Sequence, residues 1–299
     1  MEDAEFYNSK PEPKIAELEK NSYFCTIMKT VIVIISGLAD VPDRSLQGKT
    51  PLMLAHTPAL DALAKCGCAG SLRVCPDGVV PTRNNAILSL LGYDFSKGVP
   101  EAVSLASFGK SASPVPEEFG LRCHVIPKFS GHGVVISNHP EVRGIGKMAM
   151  LSAEEGGHSR GDGDSGLYSL TEKALAALDR NELVVVHVES AAAMSRRHDP
   201  DGKQRAIEEI DRDIVAPIAD YVWNAREQMN MVVLSDNVLP WRTGQPVEKD
   251  VPVVVYFNDD LPYDTDRFDE EVLAEGPLNA PLPGDLLKLL ISFEPLFEK

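Results

Sequence analysis

Val31–Ile35 is a continuous run of β-branched apolar residues, the pattern of a strand buried on both faces of a sheet. Strand-sized, largely apolar runs recur at Leu183–Val188, Met231–Leu234 and Val251–Phe257. Between them the apolar period becomes helical. Thr57 and Pro58 open one helix as N-cap and first helical residue, Leu60, Leu63 and Ala64 form its apolar face, and Gly67 stops it. Further helices are predicted at Asn84–Leu91, Leu170–Leu178, Lys203–Val222 and Gly284–Ile291. Strands alternating with helices predict an α/β fold, a mostly parallel sheet sandwiched between helical layers. In such sheets the functional crevice lies at the carboxyl ends of the strands. Ser36, Glu189 and Ser235 follow strand ends and are site candidates on that ground.

Residues 96–165 break the pattern. They are rich in Gly, Pro and Ser, with short strands expected only at Leu121–Ile126 and Gly133–Ser137. They read as a reduced cap inserted between two core segments, 30–95 and 166–299. Residues 1–29 read as a polar N-terminal extension, and Met28 is a candidate natural start. No internal repeat or low-complexity segment stands out.

Composition narrows the function. The 299 residues are 43% hydrophobic and 25% charged, ordinary for a globular chain. The formal net charge of −16 comes with no dominant Lys/Arg cluster, which argues against nucleic acid and acidic membranes as partners. No run approaches the roughly 18–20 apolar residues of a membrane span. The five cysteines, Cys25, Cys66, Cys68, Cys75 and Cys123, read as reduced, buried thiols of a cytoplasmic protein.

Several segments together resemble the archaeal-type, cofactor-independent phosphoglycerate mutases of the alkaline phosphatase superfamily. They are GKTPLMLAHTPALDALAKCG (48–67), LLGYD (90–94), LRC (121–123), HPEVRGIGK (139–147), VVVHVES (184–190), GKQRAIEEID (202–211) and VPVVVY (251–256), in the family's order. The resemblance implies an alkaline-phosphatase-like α/β/α sandwich. It also implies a chemistry of two divalent metals (Mn, Zn or Co) and a serine that attacks phosphorus.

The positions that would carry that chemistry are altered. Where the family has a metal-binding Asp-Gly after the first strand, this chain has Ser36-Gly37. Where the family has its nucleophile and acidic neighbour, it has Arg83 and Asn84, followed by Asn85. The Asp and His metal ligands after the third core strand fall on Ala192 and Arg196. The later Asp-His pair falls on Asp236-Asn237, so Asp236 alone is retained, and the last metal His falls near Pro246. Arg, Ala and Pro do not coordinate cations. The cap is also short, about seventy residues by its Gly/Pro punctuation.

These departures imply no bound metal and a vestigial pocket of Ser36, Asp40, Arg83, Asn84, Asn85, Ala192, Arg196, Asp236 and Asn237. Arg83 and Arg196 are its anion-binding candidates, since guanidinium grips phosphate or carboxylate bidentately. The competing expectation pairs these arginines with Asp40 or Asp236. Three functions stay open: a member that has lost two-metal phosphoryl transfer and binds a small anionic metabolite; an active mutase or phosphatase with altered metal ligands; a structural or regulatory subunit, with a protein partner or a second copy. Two other groups are read as non-functional. His158, Asp162 and Asp164 form a solvated loop, and His198, Asp199 and Asp201 a turn whose Asp201 caps the next helix. His124, His132 and His139 are expected as unpaired surface histidines.

Overall fold

A computed structural model describes residues 28–111, 132–157, 166–257, 265–279 and 286. The expected strand at 121–126, the loop around His158, Asp162 and Asp164, His124, Cys25, Cys123 and nearly all of the expected helix at 284–291 lie outside the described residues.

The core is one eight-stranded sheet in the order β4-β3-β5-β1-β6-β7-β2-β8. The strands are β1 (Lys29–Ile35), β2 (Cys68–Leu72), β3 (Gly133–Ser137), β4 (Ser152–Glu154), β5 (Leu183–Val188), β6 (Met229–Leu234), β7 (Val251–Tyr256) and β8 (Leu278–Asn279). β1 sits between β5 and β6 and runs parallel to both. β7 alone is antiparallel to its neighbours. The alternation of a strand sends Ile32 and Ile34 into one core, and Val31, Val33 and Ile35 into the other. Helices cover both faces. On the Ile34 face lie α3 (Arg83–Leu90), α4 (Ala102–Lys110) and α5 (Pro140–Met148). On the other lie α2 (Pro58–Cys66), α6 (Leu167–Leu178) and a long helix made of α8 (Pro200–Ile210), a π-turn at Asp211–Val215 and α9 (Ala216–Trp223). Three short helices also lie among the described residues: α1 (Pro51–Leu54), α7 (Ser190–Arg196) and α10 (Glu270–Ala274). The α/β/α layering is the predicted one.

The reading of residues 96–165 as a separate cap is corrected for 133–154. β3 pairs with β5 in full register and β4 pairs with β3, so this stretch builds one edge of the main sheet. β3 is short but fully buried. The N-terminal boundary also shifts, because Lys29 already belongs to β1.

Local details differ in instructive ways. Thr57 is the N-cap of α2, but its side chain makes no capping bond. The carboxylate of Asp211 does so from the π-turn, accepting from the amides of Ala59 at 3.1 Å and Leu60 at 2.8 Å. The cap of α8 is Asp199, not Asp201, accepting from the Gly202 amide at 2.8 Å. Cys68 and Cys75 are buried as expected, whereas Cys66 is exposed.

Candidate functional site at the carboxyl edge of the sheet

Four polar side chains lie in a row across the carboxyl ends of four neighbouring strands. Ser137 ends β3, His187 is the only polar residue of β5, Ser36 follows β1, and Asp236 follows β6 after Ser235. The same alternation that aims Ile34 at one core aims all four at that face. Each is at least 97% buried, and they are linked in order. Ser137 Oγ is 2.9 Å from His187 Nδ1, and His187 Nε2 is 2.9 Å from Ser36 Oγ. Ser36 in turn donates to Asp236 Oδ2.

Counting donors fixes the direction of this chain. The Asp236 carboxylate only accepts, so Ser36 donates its proton there and its oxygen must accept from His187 Nε2–H. Nδ1 of the neutral ring then accepts from Ser137, whose Oγ also accepts from the His139 amide at 3.0 Å. Burial, reinforced by the charge of Arg83, holds the His187 imidazole well below its usual pKa. Burial pushes Asp236 up to about 6 against the opposing hydrogen bond from Ser36. Gly37 closes the turn beside Ser36 with a φ of +71°, and a Cβ there would sit 2.7 Å from Ala192 Cα. The Ala192 amide donates to the Ser36 carbonyl at 3.0 Å. Ala192 is therefore a packing element under the turn.

Above the row lies a layer of ion pairs. Arg83 is the first residue of α3, which Thr82 caps through the Asn85 amide. A cation there faces the positive end of the helix dipole, and two acids offset it. Arg83 Nη1 donates to Glu189 Oε1 at 2.7 Å, Nη2 to Glu141 Oε2 at 2.8 Å, and Nε to Asn84 Oδ1 at 3.3 Å. Asn84 Nδ2 donates to the same Glu141 oxygen at 2.6 Å. Arg196, on α7, reaches Glu189 Oε1 at 3.0 Å. Burial raises the Glu141 pKa, but the Asn84 bond and the charges of Arg83 and His139 outweigh it, and the net shift is downward.

The expected pairing of these arginines with Asp40 or Asp236 is thus corrected to Glu141 and Glu189. Asp40 is elsewhere, bound to the fully buried Lys203 at 2.6 Å. Lys203 also donates to the carbonyls of Ala39 at 3.1 Å and Leu239 at 3.0 Å. Asn85 points inward and donates to the Val80 carbonyl at 2.9 Å. His139 is no surface histidine. It is half-buried beside this layer, with Nδ1 4.0 Å from Glu141, and burial, then the Arg83 charge, lowers its pKa.

A cleft of about 500 Å³ opens beside the ion pairs, and Arg83, Asn84, Arg196, His198, Asn237 and Pro246 all contribute to its wall. The described residues at this edge do not make an open divalent-metal donor set. Asp236 is engaged by Ser36, Glu141 is held by Arg83 and Asn84, and Glu189 is shared by two guanidinium groups. Among the described residues no three His, Cys, Asp or Glu side chains are grouped to hold a metal ion.

His187, Ser137, Glu141 and Glu189 are the members of this edge that the vestigial-pocket reading left out. A signal existed for His187: a polar residue inside a valine strand buried on both faces must find a hydrogen bond. Glu141 carried none, since it reads as an ordinary acid in the first turn of a helix.

Residues 28–275 match the Metalloenzyme superfamily. The chain is similar to a 2,3-bisphosphoglycerate-independent phosphoglycerate mutase of Methanosarcina barkeri, with 31% identity covering 88% of this chain and 99% of the relative. It is similar also to that of Methanosarcina mazei, with 22% identity covering 88% of this chain and 100% of the relative. Both alignments run over 395 positions, more than the 299 residues of this chain, so those relatives carry residues without a counterpart here. Among solved structures, the PH0037 protein from Pyrococcus horikoshii superposes with a TM-score of 0.75 at 19% identity, over 91% of this chain and 99% of that one. The cofactor-independent phosphoglycerate mutase of Thermoplasma acidophilum does so with a TM-score of 0.62 at 15% identity, over 89% and 99%. These two likenesses concern the fold alone.

Proposed function

The chain belongs to the Metalloenzyme superfamily, among the cofactor-independent phosphoglycerate mutases, and we propose that it is a member without two-metal phosphoryl transfer whose carboxyl-edge cleft binds a small anion. The observation that carries this reading is the position of Arg83. At the place where the resemblance puts a nucleophile stands a guanidinium, 13% exposed and clamped by Glu141 and Glu189 at 2.8 and 2.7 Å. A guanidinium stays protonated and has no lone pair with which to attack phosphorus. A metal cation entering this layer would have to displace Arg83 from Glu141 and Glu189, and Arg196 from Glu189. The remaining open cleft favours a binding role over a filled, purely structural one.

The test combines metal analysis with an assay. Protein purified without chelator is expected to hold far less than one manganese, zinc or cobalt per chain. It is also expected not to interconvert 3- and 2-phosphoglycerate, with or without added manganese. About two metals per chain, or robust turnover, would overturn the proposal in favour of an active enzyme with altered ligands.

A further inference from the structure

Lys203 is a fully buried ammonium whose N–H groups are all spent. It donates to the Asp40 carboxylate at 2.6 Å, the Ala39 carbonyl at 3.1 Å and the Leu239 carbonyl at 3.0 Å, and an ammonium has no fourth donor. These bonds clamp two loops together. Ala39 and Asp40 follow β1, and Leu239 follows β6. The Leu239 amide donates back to the Ala39 carbonyl at 3.1 Å, and the Trp241 amide donates to Asp40 at 3.0 Å. The second loop runs on into the wall of the 500 Å³ cleft, where Leu239, Thr243 and Gln245 stand. The position of that wall therefore rests on Lys203 and Asp40.

A second carboxylate enters the cluster from the other side. Glu270, the first residue of α10, accepts from the Asp40 amide at 2.9 Å and the Thr50 hydroxyl at 2.8 Å. Both donors are neutral. On its own helix Asp269 is occupied by the Glu271 and Val272 amides and by Arg267 at 3.3 Å, and Glu271 is exposed. β2 and β7, on which α10 packs, carry no Asp, Glu, Lys, Arg or His. Among the described residues the cluster thus holds two acids, Asp40 and Glu270, against one cation, Lys203.

This stoichiometry makes the cluster sensitive to one proton. Asp40 and Lys203 cancel, so a neutral Glu270 leaves the cluster balanced, and an ionised one leaves it with one negative charge too many. Burial pushes the Glu270 carboxyl up to about 7, against the bonds from Asp40 and Thr50 and the charge of Lys203. Compensation has to come from Lys203, which has no N–H to spare. Its bond to the charged Asp40 is the strongest of the three, so a carbonyl, Ala39 or Leu239, is the acceptor it gives up. Either loss unclamps the two loops.

We propose that Glu270 is a proton-controlled latch on the cleft wall: protonated, it leaves Lys203 to clamp the loops after β1 and β6, and ionised, it draws Lys203 away and frees residues 238–246 to move. The latch acts whatever ligand the cleft takes.

Trp241 lies in the moving segment and is one of two tryptophans, so Trp223→Phe leaves it as the single reporter. Acrylamide quenching of its fluorescence is followed in the full chain from about pH 5.5 to about 8.5. Quenching is expected to rise about twofold or more, with a midpoint near 7. Three charged or titratable groups face Trp241: His198, with Nδ1 3.0 Å from its carbonyl, Arg242 over its ring, and Asp43 bound to Arg242. His198→Asn should therefore keep the transition. Glu270→Gln, neutral throughout, should abolish it and hold the low-pH value. A flat titration, a transition that survives Glu270→Gln, or one lost in His198→Asn would each overturn the latch. Fluorine NMR of the otherwise unmodified chain carrying fluorotryptophan decides even if a variant does not fold. One of its two resonances should titrate with the same midpoint while the other stays fixed; neither or both moving would overturn the proposal.

Discussion

One oxygen of Glu189 joins Arg83 at 2.7 Å to Arg196 at 3.0 Å, so a single carboxylate ties the start of α3 to the end of α7 across the carboxyl edge of the sheet. With Glu141 it makes this edge self-neutralising. A site built to grip two cations would instead present its acids unpaired.

That arrangement predicts the cost of removing its centre. Arg83→Met leaves Glu141 and Glu189 part-buried without their main partner, and unfolding free energy is expected to fall by about 1–3 kcal/mol. Adding Glu141→Gln should recover part of the loss. Urea denaturation of the single and double variants checks this. A single variant as stable as wild type would mean the pairs contribute nothing to folding.

The Lys203–Asp40 pair, both side chains 0% exposed, ties the loop after β1 to α8. Lys203→Met should destabilise by about 3–5 kcal/mol, because it leaves a buried carboxylate without its counter-ion. Among the described residues Asp40 would keep its bonds from the Val41 amide at 2.8 Å and the Trp241 amide at 3.0 Å. The double variant Asp40→Leu/Lys203→Met is expected to be more stable than Lys203→Met alone. Denaturation curves for both, giving the opposite order, would mean the charge is not what Lys203 supplies.

His187 is predicted to be the neutral Nε2–H tautomer at pH 7. Nitrogen-correlated imidazole NMR should show a protonated Nε2 and a bare Nδ1, and the reverse pattern would invert the hydrogen-bond chain. The same residue makes the fold acid-sensitive. Its folded pKa lies well below 6.5, so its contribution is present above about that pH and lost as pH falls, when the unfolded chain binds a proton the folded one refuses. The stability difference between wild type and His187→Gln should therefore shrink on acidification below about 6.5.

Glu270 has the opposite sign. Burial raises it from 4.5 to about 7, although it accepts from the Asp40 amide at 2.9 Å and the Thr50 hydroxyl at 2.8 Å. Its contribution is complete below 4.5 and lost as pH rises through about 7. Wild type should lose stability relative to Glu270→Gln across that window, by up to about 1.4 kcal/mol per pH unit. Unfolding free energies measured at several pH values check this, and a flat difference would place the Glu270 pKa near its ordinary value.

The sequence by itself determined the layers. Val31–Ile35 and Met231–Leu234 are apolar on every position and Leu183–Val188 on every position but His187, the pattern of a sheet covered on both faces, and the isoleucines from Ile207 to Ile218 mark the long helix against it. These are local periodicities, so they survive being read along the chain. β2 escaped that reading because Cys68–Leu72 is a strand of small residues, chosen for fit: a Cβ on Gly70 would lie 1.9 Å from the Leu278 carbonyl. The sequence also placed Ser36, Glu189 and Ser235 just past strand ends, and the family resemblance brought Arg83, Arg196 and Asp236 to the same edge, but neither reading gave the arginines their partners. Glu141 is fifty-eight residues from Arg83, and Glu189 one hundred and six. Pairing over such separations is decided by the order β3-β5-β1-β6, which sets Ser137, His187, Ser36 and Asp236 side by side and brings α3, α5 and α7 to one edge. Periodicity tells a residue which face it occupies; only the crossover order of the strands tells it which neighbour it meets.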